Sequence, residues 1–177
     1  MGLDITAYGG LAKVDNPELD AEGFPKDWKL FRISQTMLDW TEKNFPGRTR
    51  GLAAGIYRPV AEFNFCAGSY SGYGIWRDWL TSFAGYGSVE IVWRCNQEQI
   101  KDLPFVQLIN FADNEGYIGP EVSAKLAQDF AEHQERAEAW QPGGNDNIGN
   151  RDFWINSYNK WRLAFETASH YGAVNFH

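Results

Sequence analysis

The segment from Cys66 to Trp79, CAGSYSGYGIWRDW, contains the densest set of side chains suited to binding a ligand. Ser71 or Gly72 is predicted to open a helix here, and free N–H groups at a helix start beside an arginine suit a phosphate or carboxylate. Its aromatic rings could stack on a base. The glycine spacing matches neither GxxxxGK[ST] nor GxGxxG, so a turn followed by a core helix is the alternative interpretation. The candidate ligand-binding residues are Ser69, Tyr70, Ser71, Tyr73, Trp76 and Arg77.

Arg77 is the central residue of this hypothesis. It follows Trp76, which belongs to an inward helical stripe, and one helical step of about 100° predicts that Arg77 points away from the core. The planar guanidinium can bond two oxygens of a phosphate at once. In the competing interpretation, Arg77 is only the ion-pair partner of Asp113 or Glu115.

The second candidate segment is Asn110–Pro120, NFADNEGYIGP, which adds Asn110, Asp113 and Glu115 to the predicted ligand-binding residues. Its acidic spacing resembles part of a calcium loop, but two of the required ligand positions carry apolar residues. The two acids could perform acid–base chemistry, bind a ribose or approach Arg77. Alternatively, they form an acidic turn that favours the N-terminus of the next helix.

Other catalytic and metal-binding patterns are not indicated. The three histidines, His133, His170 and His177, are dispersed, and the chain has neither HExxH nor a Cys/His cluster at zinc spacing. No GxSxG elbow surrounds a serine. The sequence therefore predicts no catalytic residue, no metal site and no cofactor.

Charge and length restrict the class of protein. The 177 residues include 16 basic and 23 acidic side chains, a net charge of −7 that argues against binding duplex nucleic acid. The start of the chain does not resemble a signal peptide, and no apolar run is long enough for a membrane span. Cys66 and Cys95 are expected to be buried free thiols. We expect one domain, residues 1–177, in the cytoplasm.

Periodicity predicts the elements that must position the candidate residues. Two long helices, Pro120–Trp140 and Arg151–His170, carry aromatic stripes at helical spacing. A shorter helix is expected from Ser34 to Asn44, and the helix opened near Ser71 ends at Gly85. Alternation and β-branched or aromatic content predict strands at Leu3–Tyr8, Leu30–Ile33, Gly55–Arg58, Glu62–Cys66, Val89–Arg94 and Phe105–Phe111, with an edge strand at Ala173–His177. The expected fold is α+β, a mostly antiparallel sheet with the two C-terminal helices packed on it.

Four stretches of the chain carry a resemblance. They are MGLDITAY at the start, FPGR at Phe45–Arg48, AGSYSGYGIWR at Ala67–Arg77 and LINFADNEGYIGPEVSAKLAQDF at Leu108–Phe130. Together they resemble a family of small proteins without established activity that bacteriophages, prophages and plasmids encode. The resemblance implies an accessory protein of a phage or mobile element in the bacterial cytoplasm.

Three functions are compatible with these observations. The first is a non-enzymatic binder that sequesters a nucleotide-derived signal or blocks a host defence component. The second is a small hydrolase or transferase acting on a nucleotide or sugar, with Asp113 and Glu115 as acid–base groups. The third is an inhibitor that acts by protein–protein contact. The expected partner is accordingly an anionic small molecule or a host protein, and a homo-oligomer is compatible with the sequence.

Overall fold

The computed structural model describes residues 2–111, 115–142 and 151–177. These form an α+β fold with two antiparallel sheets. The strands are β1 (Gly2–Gly9), β2 (Ala12–Lys13), β3 (Phe31–Ile33), β4 (Gly55–Arg58), β5 (Ala61–Ser69), β6 (Gly116–Ile118) and β7 (Ala173–Phe176). The helices are α1 (Gln35–Asn44), α2 (Tyr70–Ala84), α3 (Val89–Arg94), α4 (Gln97–Ile100), α5 (Val106–Ile109), α6 (Pro120–Glu132), α7 (Gln134–Ala139) and α8 (Arg151–Ala168).

The larger sheet has the strand order β5-β1-β7-β6, and the smaller one has the order β2-β4-β3. β1 is central in the larger sheet, with Ile5 opposite Phe65 on one side and Phe176 on the other. The expected edge strand at the C-terminal end is instead an inner strand, because β6 pairs along its other side. The three residues of β6 were too few to give a strand pattern in the sequence.

Helices α2, α6 and α8 cover one face of the larger sheet with aromatic side chains. The predicted stripe of α8 is confirmed, since its members are buried: Trp154, Tyr158, Trp161, Phe165 and Ala168. The Tyr158 hydroxyl donates a 2.6 Å hydrogen bond to the carbonyl oxygen of Phe130, which joins α8 to α6. A second cluster around Phe31 and Tyr117 lies between the two sheets.

Several elements occur where the sequence predicts them, with small differences at their ends. They are β1, β3, α1, β4, β5 and α2. Helix α2 ends at Gly85, which adopts the left-handed conformation with φ 85° that glycine tolerates best. None of the helices among the described residues is long and apolar enough to cross a membrane.

Two predicted strands are helical instead. In α3, Val89 and Val92 are buried three residues apart while Trp93 is half exposed, so a helical period fits better than the alternation read from the sequence. Phe105–Phe111 was predicted to be a strand, but it contains the single turn α5. A short apolar run does not distinguish a buried strand from a buried helix, which explains this error.

The helix predicted at Pro120–Trp140 is divided at His133 into α6 and α7. The backbone of His133 leaves the helical region at φ −102° and ψ 7°, and its Nδ1 lies 2.9 Å from the carbonyl oxygen of Asp129. The expectation of buried thiols was also wrong, because Cys66 and Cys95 are both free and exposed. Cys66 lies on the edge strand β5, on the face of the sheet that the helices do not cover.

Candidate ligand-binding site

A pocket of about 340 Å³ opens between the C-terminal end of α1, the helices α3 and α4, and the turn after α5. We call it the main pocket. A smaller recess of about 90 Å³ adjoins it and adds the cationic side chains Arg50 and Lys101. The main pocket is lined by Asn44, Phe45, Pro46, Arg48, Trp93, Gln97, Glu98 and Asn110. Its volume is within the range of about 300–1,000 Å³ that is typical of small-molecule sites.

Asn110 provides a buried amide in this pocket. The residue is 8% exposed, and its Nδ2 donates a hydrogen bond to Oε1 of Gln97. Its Oδ1 has no hydrogen-bond partner among the described residues. A buried carbonyl oxygen left unpaired costs about 1–3 kcal/mol, so a ligand that donates a hydrogen bond here removes that cost.

Arg48 lies where the main pocket meets the recess. Nε donates a 3.1 Å hydrogen bond to the carbonyl oxygen of Gln107, and Nη1 donates a 3.2 Å bond to that of Pro46. Burial lowers the pKa of the guanidinium to about 10, against the opposing effect of Glu42, so Arg48 is still a cation at neutral pH. The two carbonyl groups therefore orient a positive charge towards the ligand space.

The turn that carries Arg48 is organised by Glu42. Its carboxylate accepts the backbone N–H of Gly47 at 2.5 Å and the hydroxyl of Thr49 at 2.8 Å. Partial burial opposes ionisation of Glu42, but these hydrogen bonds outweigh it and lower its pKa below 4.5. Gly47 has φ 79°, a left-handed conformation that favours glycine at this turn.

Trp93 forms the aromatic wall of the main pocket and is 50% exposed. Behind it, the Arg77 guanidinium lies 5.3 Å from the centroid of its ring and 5.6 Å from that of Tyr73. Nε of Arg77 donates a 2.8 Å hydrogen bond to the carbonyl oxygen of Ile109, the residue before Asn110. Arg77 thus connects the aromatic wall to the backbone of the buried amide.

The expectation that Arg77 points away from the core into a cleft was wrong. The side chain is 6% exposed, and burial lowers its pKa because the charged form loses solvation. Among the described residues, which include Glu115, no carboxylate lies within 4 Å of Arg77. An ion pair with Asp113 stays a prediction, because Asp113 lies outside the described residues. The hydroxyl of Tyr73 donates to the carbonyl oxygen of Phe111 at 2.8 Å, so Tyr73 also supports the turn after α5.

The remaining candidates of the Cys66–Trp79 segment lie elsewhere. Ser69 caps α2 by accepting the N–H of Gly72 at 3.0 Å, and its hydroxyl lies 3.0 Å from that of Ser71. Ser69, Tyr70 and Ser71 are exposed at this end of α2 and do not line the main pocket. Trp76 lines a different pocket, beside β5.

The acidic candidates are only partly covered by the structure. Asp113 lies outside the described residues, and Glu115 is exposed directly before β6. Their pairing as acid–base groups therefore stays a prediction. Among the described residues, no group of three or more His, Cys, Asp or Glu side chains could bind a metal ion.

The structure adds residues that the sequence reasoning did not select, chiefly Arg48, Trp93 and Gln97. Arg48 stood in the FPGR stretch, but a single turn arginine indicates no site until its neighbours are known. The strand predicted at Val89–Arg94 gives no indication that Trp93 lies on the exposed face of a helix.

Comparison with known protein families, curated proteins and solved structures finds no match to this chain.

Proposed function

We propose that this protein is a non-enzymatic binder of a small anionic molecule with a planar ring, and that the main pocket holds the ligand. The observation that carries the proposal is the buried Asn110 amide, whose Oδ1 lacks a partner among the described residues, in a pocket shared with Arg48 and Trp93. A nucleotide-derived signal has this chemistry.

Each part of such a ligand has a complementary group. A planar ring stacks on Trp93, since aromatic stacking stabilises any base by about 1–3 kcal/mol. An N–H of the ring donates to Oδ1 of Asn110. The anionic group extends towards Arg48 and the recess, where Arg50 adds positive charge.

The residues that line the main pocket favour a non-enzymatic binder over an enzyme. The carboxylate of Glu98, which lines the pocket, is paired with Lys101 at 3.1 Å on the surface. The enzymatic alternative, with Asp113 and Glu115 as acid–base groups, stays a prediction, because Asp113 lies outside the described residues. With the family resemblance, the proposal places the protein in the bacterial cytoplasm as a phage or mobile-element accessory that removes a signal from the host.

The test is a calorimetric titration with a panel of nucleotides, followed by recovery of each nucleotide after denaturation. We expect one nucleotide class to bind and to be recovered intact. Trp93→Leu and Arg48→Gln should each weaken its binding at least tenfold. Arg94→Gln is the matched control, because Arg94 is exposed next to Trp93 but does not line the pocket. A chemically altered nucleotide supports the enzyme instead, and equal affinity in all variants overturns this site.

A further inference from the structure

A second pocket lies between β5, α2 and α8, apart from the main pocket. It has a volume of about 160 Å³, and four aromatic side chains contribute to its walls. These are Phe65, Trp76, Phe153 and Trp161. No lining residue is shared with the main pocket, so the two sites can be tested separately.

Trp76 introduces a buried polar atom into this aromatic surrounding. The residue is 3% exposed, and its Nε1 has no hydrogen-bond partner among the described residues. Its ring is nearly parallel to those of Trp79 and Trp161, at centroid distances of 4.9 and 6.4 Å. Because buried indole N–H groups usually have a partner, an acceptor from a ligand would complete this one.

Lys160 adds a positive charge to the same pocket. Its side chain is half-buried on α8, and no carboxylate of the described residues lies within 4 Å of its ammonium group. Ser157, one helical turn before it, also lines the pocket and contributes a hydroxyl. The indole N–H of Trp76, the ammonium group of Lys160 and the hydroxyl of Ser157 can all donate hydrogen bonds to an anion, and they lie next to the aromatic walls of the pocket.

From this arrangement we propose that the second pocket binds a small aromatic carboxylate with a single ring. The ring packs against Trp161 and Phe65, and the carboxylate accepts hydrogen bonds from Nε1 of Trp76 and from Lys160. The volume of about 160 Å³ is below the range of about 300–1,000 Å³ that is typical of drug-sized ligands, so the proposal is restricted to a single ring with its carboxylate.

The test uses benzoate as the probe, with ligand-observed NMR titration of the full chain. Trp76→Phe keeps an aromatic ring but removes the N–H, and we expect it to weaken benzoate binding about tenfold; Lys160→Gln should do the same. Trp79→Phe is the matched control, because Nε1 of Trp79 is also buried without a partner among the described residues while Trp79 does not line this pocket. It should leave benzoate binding unchanged.

Two further measurements separate this proposal from the function proposed for the main pocket. Arg48→Gln should leave benzoate affinity unchanged, and benzamide, which has the same ring without the charge, should bind much more weakly than benzoate. The proposal is overturned if the wild-type protein does not bind benzoate at millimolar concentration. It is equally overturned if Trp76→Phe and Trp79→Phe have the same effect.

Discussion

At the scale of single residues, Arg77 has a different role from the one its helical position suggested. Its guanidinium lies over the rings of Tyr73 and Trp93, and its Nε donates to the carbonyl oxygen of Ile109. Its position relative to Trp76 did not show that α3 and the turn after α5 cover this side of the helix. What covers a helix face depends on distant segments, so the sequence could not reveal it.

We therefore expect Arg77→Lys to lower the free energy of unfolding by about 1–3 kcal/mol, because lysine does not reproduce the planar stacking or the Nε bond. Urea denaturation measures this loss, and Arg94→Lys on the exposed side of α3 is the control. An unchanged stability together with lost ligand binding would instead support a direct contact between Arg77 and the ligand.

Also at the scale of single residues, the lowered pKa of Glu42 predicts how the stability of the fold changes with pH. Its pKa is lowered in the folded protein despite partial burial, because Gly47 and Thr49 donate hydrogen bonds to the ionised form. A lowered pKa contributes stability above the unfolded value, and this contribution disappears as the pH falls through the folded pKa. Thermal melts should therefore show that Glu42→Gln loses less stability than the wild type as the pH falls below 4.5. The same slope in both proteins would contradict the assignment.

At the scale of elements, the turn from Phe105 to Asn110 positions the buried amide of the main pocket. Phe105 has φ 61°, and its N–H donates to the Asp129 carboxylate at 2.7 Å. The same carboxylate is paired with Lys125 at 2.7 Å. Burial raises the pKa of Asp129, although Lys125 and Phe105 act in the opposite direction. The Asp129 side chain on α6 thus fixes the start of the turn at Phe105 and pairs with the charge of Lys125.

Asp129→Leu should destabilise the protein by about 1–3 kcal/mol, because it leaves the buried N–H of Phe105 without its acceptor and removes the ion-pair partner of the half-buried Lys125. Asp129→Asn keeps an acceptor for that N–H and should cost less. Urea denaturation of both variants checks the order, and equal losses would indicate that the backbone hydrogen bond contributes nothing.

Long helices with a regular apolar spacing could be predicted from the sequence, whereas short helices could not. Helix α8 was predictable because Trp154, Tyr158 and Trp161 repeat at helical spacing over a long stretch. Six residues in α3 and a continuous apolar run around α5 are compatible with either structure, and their helices depend on tertiary contacts. The main pocket was only partly predictable for the same reason, since Asn110 was selected whereas Arg48 and Trp93 come from two other parts of the chain.

At the scale of the whole molecule, α8 joins the sheet to the other helices. Trp161 is among its most buried residues and contacts the rings of Phe65, Tyr73 and Phe176. Trp161→Ala should therefore cost about 3–5 kcal/mol in denaturant melts. Phe153→Ala, on the exposed side of the same helix, should cost much less, and a loss below about 1 kcal/mol for Trp161→Ala would contradict the packing of α8.

The central claim is that Asn110 and its neighbours bind a small anionic ligand with a planar ring. Native mass spectrometry tests it most directly, on wild-type protein and Asn110→Leu after incubation with a nucleotide extract of bacterial cells. We expect the wild type to carry the added mass of one intact small molecule, and we expect Asn110→Leu, whose side chain has the same number of heavy atoms and the same branching, not to carry it. Unliganded masses for both proteins, or the same bound mass on both, would contradict the account.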